Sequence, residues 1–152
     1  EGALDASSPA LHRERAEEDA REREGEMPNA YAIMQELGAR DAHDLLSKGS
    51  MTIIDVRSRE EYKKCRVKTF PWQSVNIPFT EFPIWNQTGG LSKYRPFRLG
   101  VICNSGQTSK QAVVRLTRVY GFDPAAVSNI RGGINEWILA GYPTEQGDAI
   151  TE

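Results

Sequence analysis

Short apolar runs alternate with stretches of helical spacing along most of this chain, and that alternation limits the folds open to it. The runs are Ile33–Leu37, Met51–Val56, Val75–Ile77, Leu99–Cys103 and Ala126–Ile130. They have the length and continuous apolar character of buried strands. Between them, Ala39–Lys48 places Ala42, Leu45 and Leu46 on one face and stops at Gly49. Ser58 is positioned to cap a short charged helix through Lys64, with Glu61 completing a capping box. After Leu99–Cys103, an amphipathic stretch carries Ala112, Val113, Leu116, Val119 and Tyr120 on one side and ends at Gly121. A turn at Gly132-Gly133 leads into a last helix through Trp137, Ile138 and Leu139, closed by Gly141 and Pro143. The pattern predicts an α/β fold, a mainly parallel sheet with helices on both faces.

The chain of 152 residues is 39% hydrophobic and carries a net charge of −2. That is enough for one domain with a proper core, expected over residues 30–147. Residues 1–29 read as an appendage. From Arg13 to Glu26 they are almost all charged residues and alanine, and pairs such as Glu17–Arg21 support a solvated or flexible leader rather than a core element. Residues 148–152 read as a short tail. The balanced charge offers no electrostatic footprint for nucleic acid, and no apolar run reaches the length of a membrane span. Two cysteines, Cys65 and Cys103, do not make a disulfide scaffold. An intracellular protein is expected, with its compartment open because the chain begins at Glu1.

Cys103 closes a buried run and is followed by Asn104-Ser105-Gly106-Gln107-Thr108-Ser109, six small or polar residues ahead of a helix. In a parallel α/β sheet that position is the carboxyl end of a strand, where ligands collect. Gly106 permits backbone angles that let successive N–H groups converge on one point. Thr108 or Ser109 is expected to cap the helix, whose positive end then faces the sulfur. Such surroundings favour an anionic, nucleophilic cysteine over an inert one. A phosphatase loop of the Cys-x5-Arg type needs a cation where this chain has Ser109. A cysteine hydrolase needs a histidine base, and only His12 and His43 exist. The same scarcity argues against a zinc site.

Four pieces in order carry a family resemblance: Asp55-Val56-Arg57 with Glu61-Tyr62, Val75-Asn76-Ile77-Pro78, the loop Cys103–Ser109, and Ile130-Arg131-Gly132-Gly133 with Trp137, Gly141 and Pro143. From about Gln35 to Thr144 the chain resembles the rhodanese-like sulfurtransferases. The resemblance implies a single rhodanese-like domain with a five-stranded, largely parallel sheet. It also implies that the Cys103 thiolate takes a sulfur from thiosulfate or 3-mercaptopyruvate, holds it as a persulfide and passes it to cyanide or to a thiol, small or protein-borne. Backbone N–H groups of Asn104, Ser105, Gly106, Gln107, Thr108 and Ser109 would stabilise the charged sulfur, with hydroxyls of Ser105 and Thr108 adding hydrogen bonds. No metal or organic cofactor is required. A monomer is favoured, with no nucleic acid or membrane partner.

Two departures from the family pattern stand out. A longer aromatic insertion, Lys68-Thr69-Phe70-Pro71-Trp72-Gln73, precedes the third strand, and Phe70 and Trp72 are expected to pack over the core edge. Phe79, Phe82, Trp85, Tyr94 and Phe97 are expected to form a lid beside the catalytic loop. The loop is also neutral, since Asn104 and Gln107 stand where thiosulfate-using relatives often carry cations; that weakens thiosulfate as donor. Arg57 is expected to pair with Glu61 across one helical turn. Cys65 is expected to be incidental, a redox partnership with Cys103 requiring Cα atoms within about 7 Å. The alternative function is a non-catalytic docking or redox-sensing rhodanese-like module.

Overall fold

A computed structural model describes residues 33–148, so the expected leader over 1–29 lies outside the described residues, as does the tail beyond Asp148. The strands are β1 (Gln35–Leu37), β2 (Thr52–Asp55), β3 (Arg66–Val67), β4 (Ser74–Asn76), β5 (Leu99–Ile102), β6 (Val127–Ile130) and β7 (Thr144–Glu145). Five of them form a parallel sheet in the order β1-β6-β5-β2-β4. The α-helices are α1 (Ala39–Ser47), α2 (Arg59–Lys64), α3 (Phe82–Gln87), α4 (Gln107–Val114) and α5 (Gly133–Leu139). They cover both faces of the sheet, because β2, β5 and β6 are buried throughout and need apolar cover on each side.

Successive residues of these strands feed different cores. Ile54, Leu99, Val101 and Val127 pack with Ala112 and Val113 of α4, with Leu116 just beyond it and with Phe82 of α3. Ile53, Ile102 and Ile130 pack on the other face with Ala42 and Leu46 of α1 and Ile134 and Trp137 of α5. β5 is central, and its register with its neighbours aligns the strand ends. Asp55 lies opposite Ile102, Val101 opposite Asn129, and Asn129 opposite Glu36. Three polar residues are therefore delivered to the carboxyl edge beside Cys103.

Element boundaries differ from the expectations in a few places. The helix after Cys103 begins at Gln107 rather than Lys110, and from Arg115 to Val119 it widens into a π-helical turn. A two-stranded antiparallel ribbon of β3 and β7, unforeseen in the sequence, ties the segment after α2 to the chain beyond α5. Two-residue strands carry too little periodicity to be recognised. Phe82 is fully buried, and Phe79, Trp85 and Tyr94 pack against the same core. The expected aromatic lid is thus mainly an extension of the core; of its five members only Phe79 lines the cavity at Cys103. Phe70 and Trp72, expected over the core edge, are 59% and 71% exposed and stack on each other with ring centroids 4.9 Å apart. Among the described residues no helix is long and apolar enough to cross a membrane.

Candidate active site

Cys103 is the first residue past β5, and its side chain is buried at the floor of a cavity of about 580 Å³. The Gly106 N–H donates to Sγ at 3.1 Å and the Ser109 N–H at 3.3 Å. The Ser109 hydroxyl lies 3.2 Å from the same sulfur. Gly106, rather than Thr108 or Ser109, is the helix N-cap, and it takes φ 95° with no side-chain cap. The reason is local: Ser109 already sits inside the first turn, and its hydroxyl is committed to Cys103 and to Asn129 Oδ1 at 2.5 Å. Two N–H groups aimed at one sulfur stabilise negative charge there.

The loop is held from behind by the start of α5. Ile134 N–H donates to the Cys103 carbonyl at 2.8 Å and Asn135 N–H to the Asn104 carbonyl at 3.0 Å. This contact requires glycine at Gly133, which has φ 61° and on which a Cβ would overlap the Cys103 and Asn104 backbone. Gly106 is constrained too: an added Cβ would lie 3.0 Å from the Gly132 nitrogen. The Gly132-Gly133 pair was legible as a turn. Its role as a wall of the cysteine loop was not, because the contact joins residues about thirty positions apart.

From the front, the loop is anchored by Asp55 and Arg57. The Arg57 guanidinium bonds Asp55 through Nε at 3.0 Å and Nη2 at 2.9 Å, correcting the expected pairing with Glu61. Its Nη1 donates to Asn104 Oδ1 at 3.4 Å and its Nη2 to the Cys65 carbonyl at 2.5 Å. Asn104 Nδ2 then donates to Glu61 Oε2 at 2.8 Å. Burial pushes the Asp55 carboxyl above its ordinary value, against the hydrogen bonds and charge of Arg57. The Asn104 hydrogen bond, followed by bonds from Ser58 and the charge of Arg57, holds Glu61 below its usual value against a smaller desolvation penalty. The Ser58–Glu61 capping box is present as expected.

Of the residues singled out in the sequence, Cys103, Asn104, Ser105 and Thr108 line the cavity. Gln107 opens α4 and is exposed, while Ser109 is buried beneath the loop. Gly106 faces the sulfur with its N–H. The hydroxyl within reach of Cys103 is that of Ser109, in place of the Ser105 and Thr108 hydroxyls expected there. Arg57, Arg59, Glu61, Phe79 and Glu81 complete much of the wall, and Arg59 is paired to Glu81 at 2.6 Å. Sequence reasoning missed Asn129, Glu36 and Glu81; strand register and long-range packing place them, and no motif marks them. Both cysteines are free thiols. Cys103 packs in one core cluster, with Ala112 and Val113 of α4, and Cys65 against the other, with Ile134 and Trp137 of α5. Among the described residues no group of three or more His, Cys, Asp or Glu side chains is placed to hold a metal ion.

A model of the rhodanese-like domain family matches residues 38–140. No curated protein is found to match the chain. Among solved structures, the rhodanese-related protein of Thermoplasma volcanium is 25% identical with a TM-score of 0.57, covering 73% of this chain and 97% of that one. A protein of unknown function and possible tyrosine phosphatase from Rhodopseudomonas palustris CGA009 is 21% identical with a TM-score of 0.65, covering 78% and 90%. The thiosulfate sulfurtransferase of Pseudomonas aeruginosa is 23% identical with a TM-score of 0.56, covering 86% of this chain and 23% of that one. The last two likenesses are of fold alone.

Proposed function

The chain belongs to the rhodanese-like domain family, and we propose that within it Cys103 is the nucleophile of a sulfurtransferase. The observation that carries this reading is the pair of N–H groups, from Gly106 and Ser109, directed at a sulfur on the floor of an open cavity. The thiolate attacks the outer sulfur of the donor. The bond from that sulfur to the rest of the donor breaks, its electron pair leaves with sulfite or with the carbanion of pyruvate, and Cys103 carries a persulfide. An acceptor thiolate or cyanide then attacks the outer sulfur and returns Cys103 as a thiolate, so no external oxidant or reductant is needed.

Charge at the cavity supports 3-mercaptopyruvate over thiosulfate. The loop holds no cation, and both neighbouring arginines are already paired, Arg57 with Asp55 and Arg59 with Glu81. A phosphatase reading is disfavoured on the same ground, because Ser109 stands where an arginine would grip a tetrahedral oxyanion. A docking module is the second reading, favoured by the exposed Phe70–Trp72 stack.

The test is intact-mass analysis after incubation with 3-mercaptopyruvate or thiosulfate, followed by cyanide. The expected result is one added sulfur, absent in Cys103→Ser and removed by cyanide. Failure of both donors to add sulfur to the folded protein would overturn the sulfurtransferase reading.

A further inference from the structure

Behind Cys103 runs a chain of three hydrogen bonds that sequence reasoning did not foresee. Ser109 and Asn129 are both completely buried, and neither lines the cavity. Asn129 Nδ2 donates to Glu36 Oε2 at 2.8 Å, across the register pair that joins β6 to β1. The orientation of the Asn129 amide follows from that partner: a carboxylate accepts only, so the NH₂ faces Glu36 and Oδ1 faces Ser109. Oδ1 can only accept, so the Ser109 hydroxyl donates to it, at 2.5 Å. A serine hydroxyl has one hydrogen. It therefore turns lone pairs toward Cys103 Sγ, 3.2 Å away, where they accept from an S–H.

Two influences on Cys103 thus oppose each other. The Gly106 and Ser109 N–H groups favour the thiolate, and the Ser109 oxygen favours the thiol. We propose that Asn129 is a positioning residue that, oriented by Glu36, holds the Ser109 hydroxyl as an acceptor toward Cys103 Sγ and so opposes formation of the thiolate. The inference rests on Cys103 being the nucleophile of the proposed function. To assist the thiolate, the hydroxyl must rotate to donate to sulfur, and Asn129 Oδ1 then loses that bond in a buried site, a costly exchange. An amide and a hydroxyl do not take up a proton at neutral pH, so the thiol proton leaves through the cavity. The charged groups around this path are Arg57, Arg59, Glu61 and Glu81 at the cavity, and behind Asn129 the Glu36 carboxylate with Arg131 at 3.9 Å.

The experiment is the pH–rate profile for alkylation of Cys103 by iodoacetamide in the full chain, read by peptide-resolved mass spectrometry so that Cys65 does not contribute. Asn129→Leu frees the hydroxyl to donate to the thiolate. The midpoint is expected at lower pH, with alkylation below it about tenfold faster, the worth of roughly one hydrogen bond. Adding Asn129→Leu to Ser109→Ala is expected to change nothing further, because the hydroxyl through which it acts is gone. Glu36→Leu, on the partly exposed strand β1, releases the amide to turn over and is expected to shift the midpoint the same way. It reads the relay even if Asn129→Leu fails to fold. Glu36→Gln keeps an acceptor and is expected to leave the profile in place. An unmoved or raised midpoint in the folded variants overturns the proposal. So does a shift that persists undiminished without Ser109, or a Glu36→Gln shift as large as that of Glu36→Leu. Alkylation needs no sulfur donor, so these outcomes are independent of whether a persulfide forms.

Discussion

The two cysteines show how little residue type decides by itself. Cys103 ends the central strand, and its sulfur receives two backbone N–H groups beside an open cavity. Cys65 is the C-cap of the short helix α2 and packs against the other core cluster, and the atom engaged there is its carbonyl, which Arg57 binds. One position turns a buried sulfur toward a polar cavity; the other, though its side chain is the more exposed, offers a backbone acceptor to an arginine. Arg57 touches both regions, since its other nitrogen reaches Asn104 at the mouth of the Cys103 loop. The difference is one of position in the fold, and each part of it can be broken separately.

The largest effect is expected from the sulfurs themselves. Cys103→Ser should lower sulfur transfer about 10³-fold or more, while Cys65→Ser leaves it unchanged, as measured by cyanide-dependent thiocyanate release. A loss of similar size in Cys65→Ser would make the two sites chemically one. Next comes the arginine that joins them. Arg57→Met leaves Asp55 as a buried charge without its partner and should cost about 3–5 kcal/mol in urea unfolding. An unchanged midpoint would mean that the two regions are stable without their bridge.

Gly133→Ala sharpens the comparison from the Cys103 side alone. Its left-handed backbone and its contact with the loop should together cost more than about 1 kcal/mol and slow persulfide formation. Gly141→Ala is the control: its φ is 81°, but no atom lies within 4 Å of the added carbon, so only stability should fall. The smallest effect is a matter of pH. Glu61 is held below its ordinary value by Asn104, so its support is complete above the usual carboxylate range and is lost as pH falls through the lowered value. In Glu61→Gln the fall of stability in acid should therefore flatten slightly, read as urea-unfolding midpoints compared across the acid range, and an acid dependence identical to that of the parent chain would show that the Asn104–Glu61 contact carries no weight.

Much of this architecture was legible along the chain. Continuous apolar runs can be buried only as central strands or helices, and their short length with intervening helical spacing selects a parallel sheet with two covered faces. The Ser58–Glu61 capping box and the loop after Cys103 are local devices, written within a few residues of one another. Aromatic residues were harder to place. Phe70 and Trp72 look as apolar as Phe82 and Trp85, yet the first pair is exposed and Phe82 is sealed in the core. No local pattern distinguishes them.

Local pattern along the chain was enough for the five strands of the main sheet, four of the α-helices and a cysteine at a strand end ahead of a polar, glycine-containing loop. What surrounds that sulfur is settled by contacts between distant segments. Register sets Glu36 beside Asn129, packing of α4 brings Ser109 over both Asn129 and Cys103, and Gly133 lets α5 close on the loop from behind. The physical reason is range. Propensity, capping and periodicity act over a few residues, whereas the environment of Cys103 is assembled from hydrogen bonds between strands and helices far apart in the chain, whose geometry exists only once the sheet has formed.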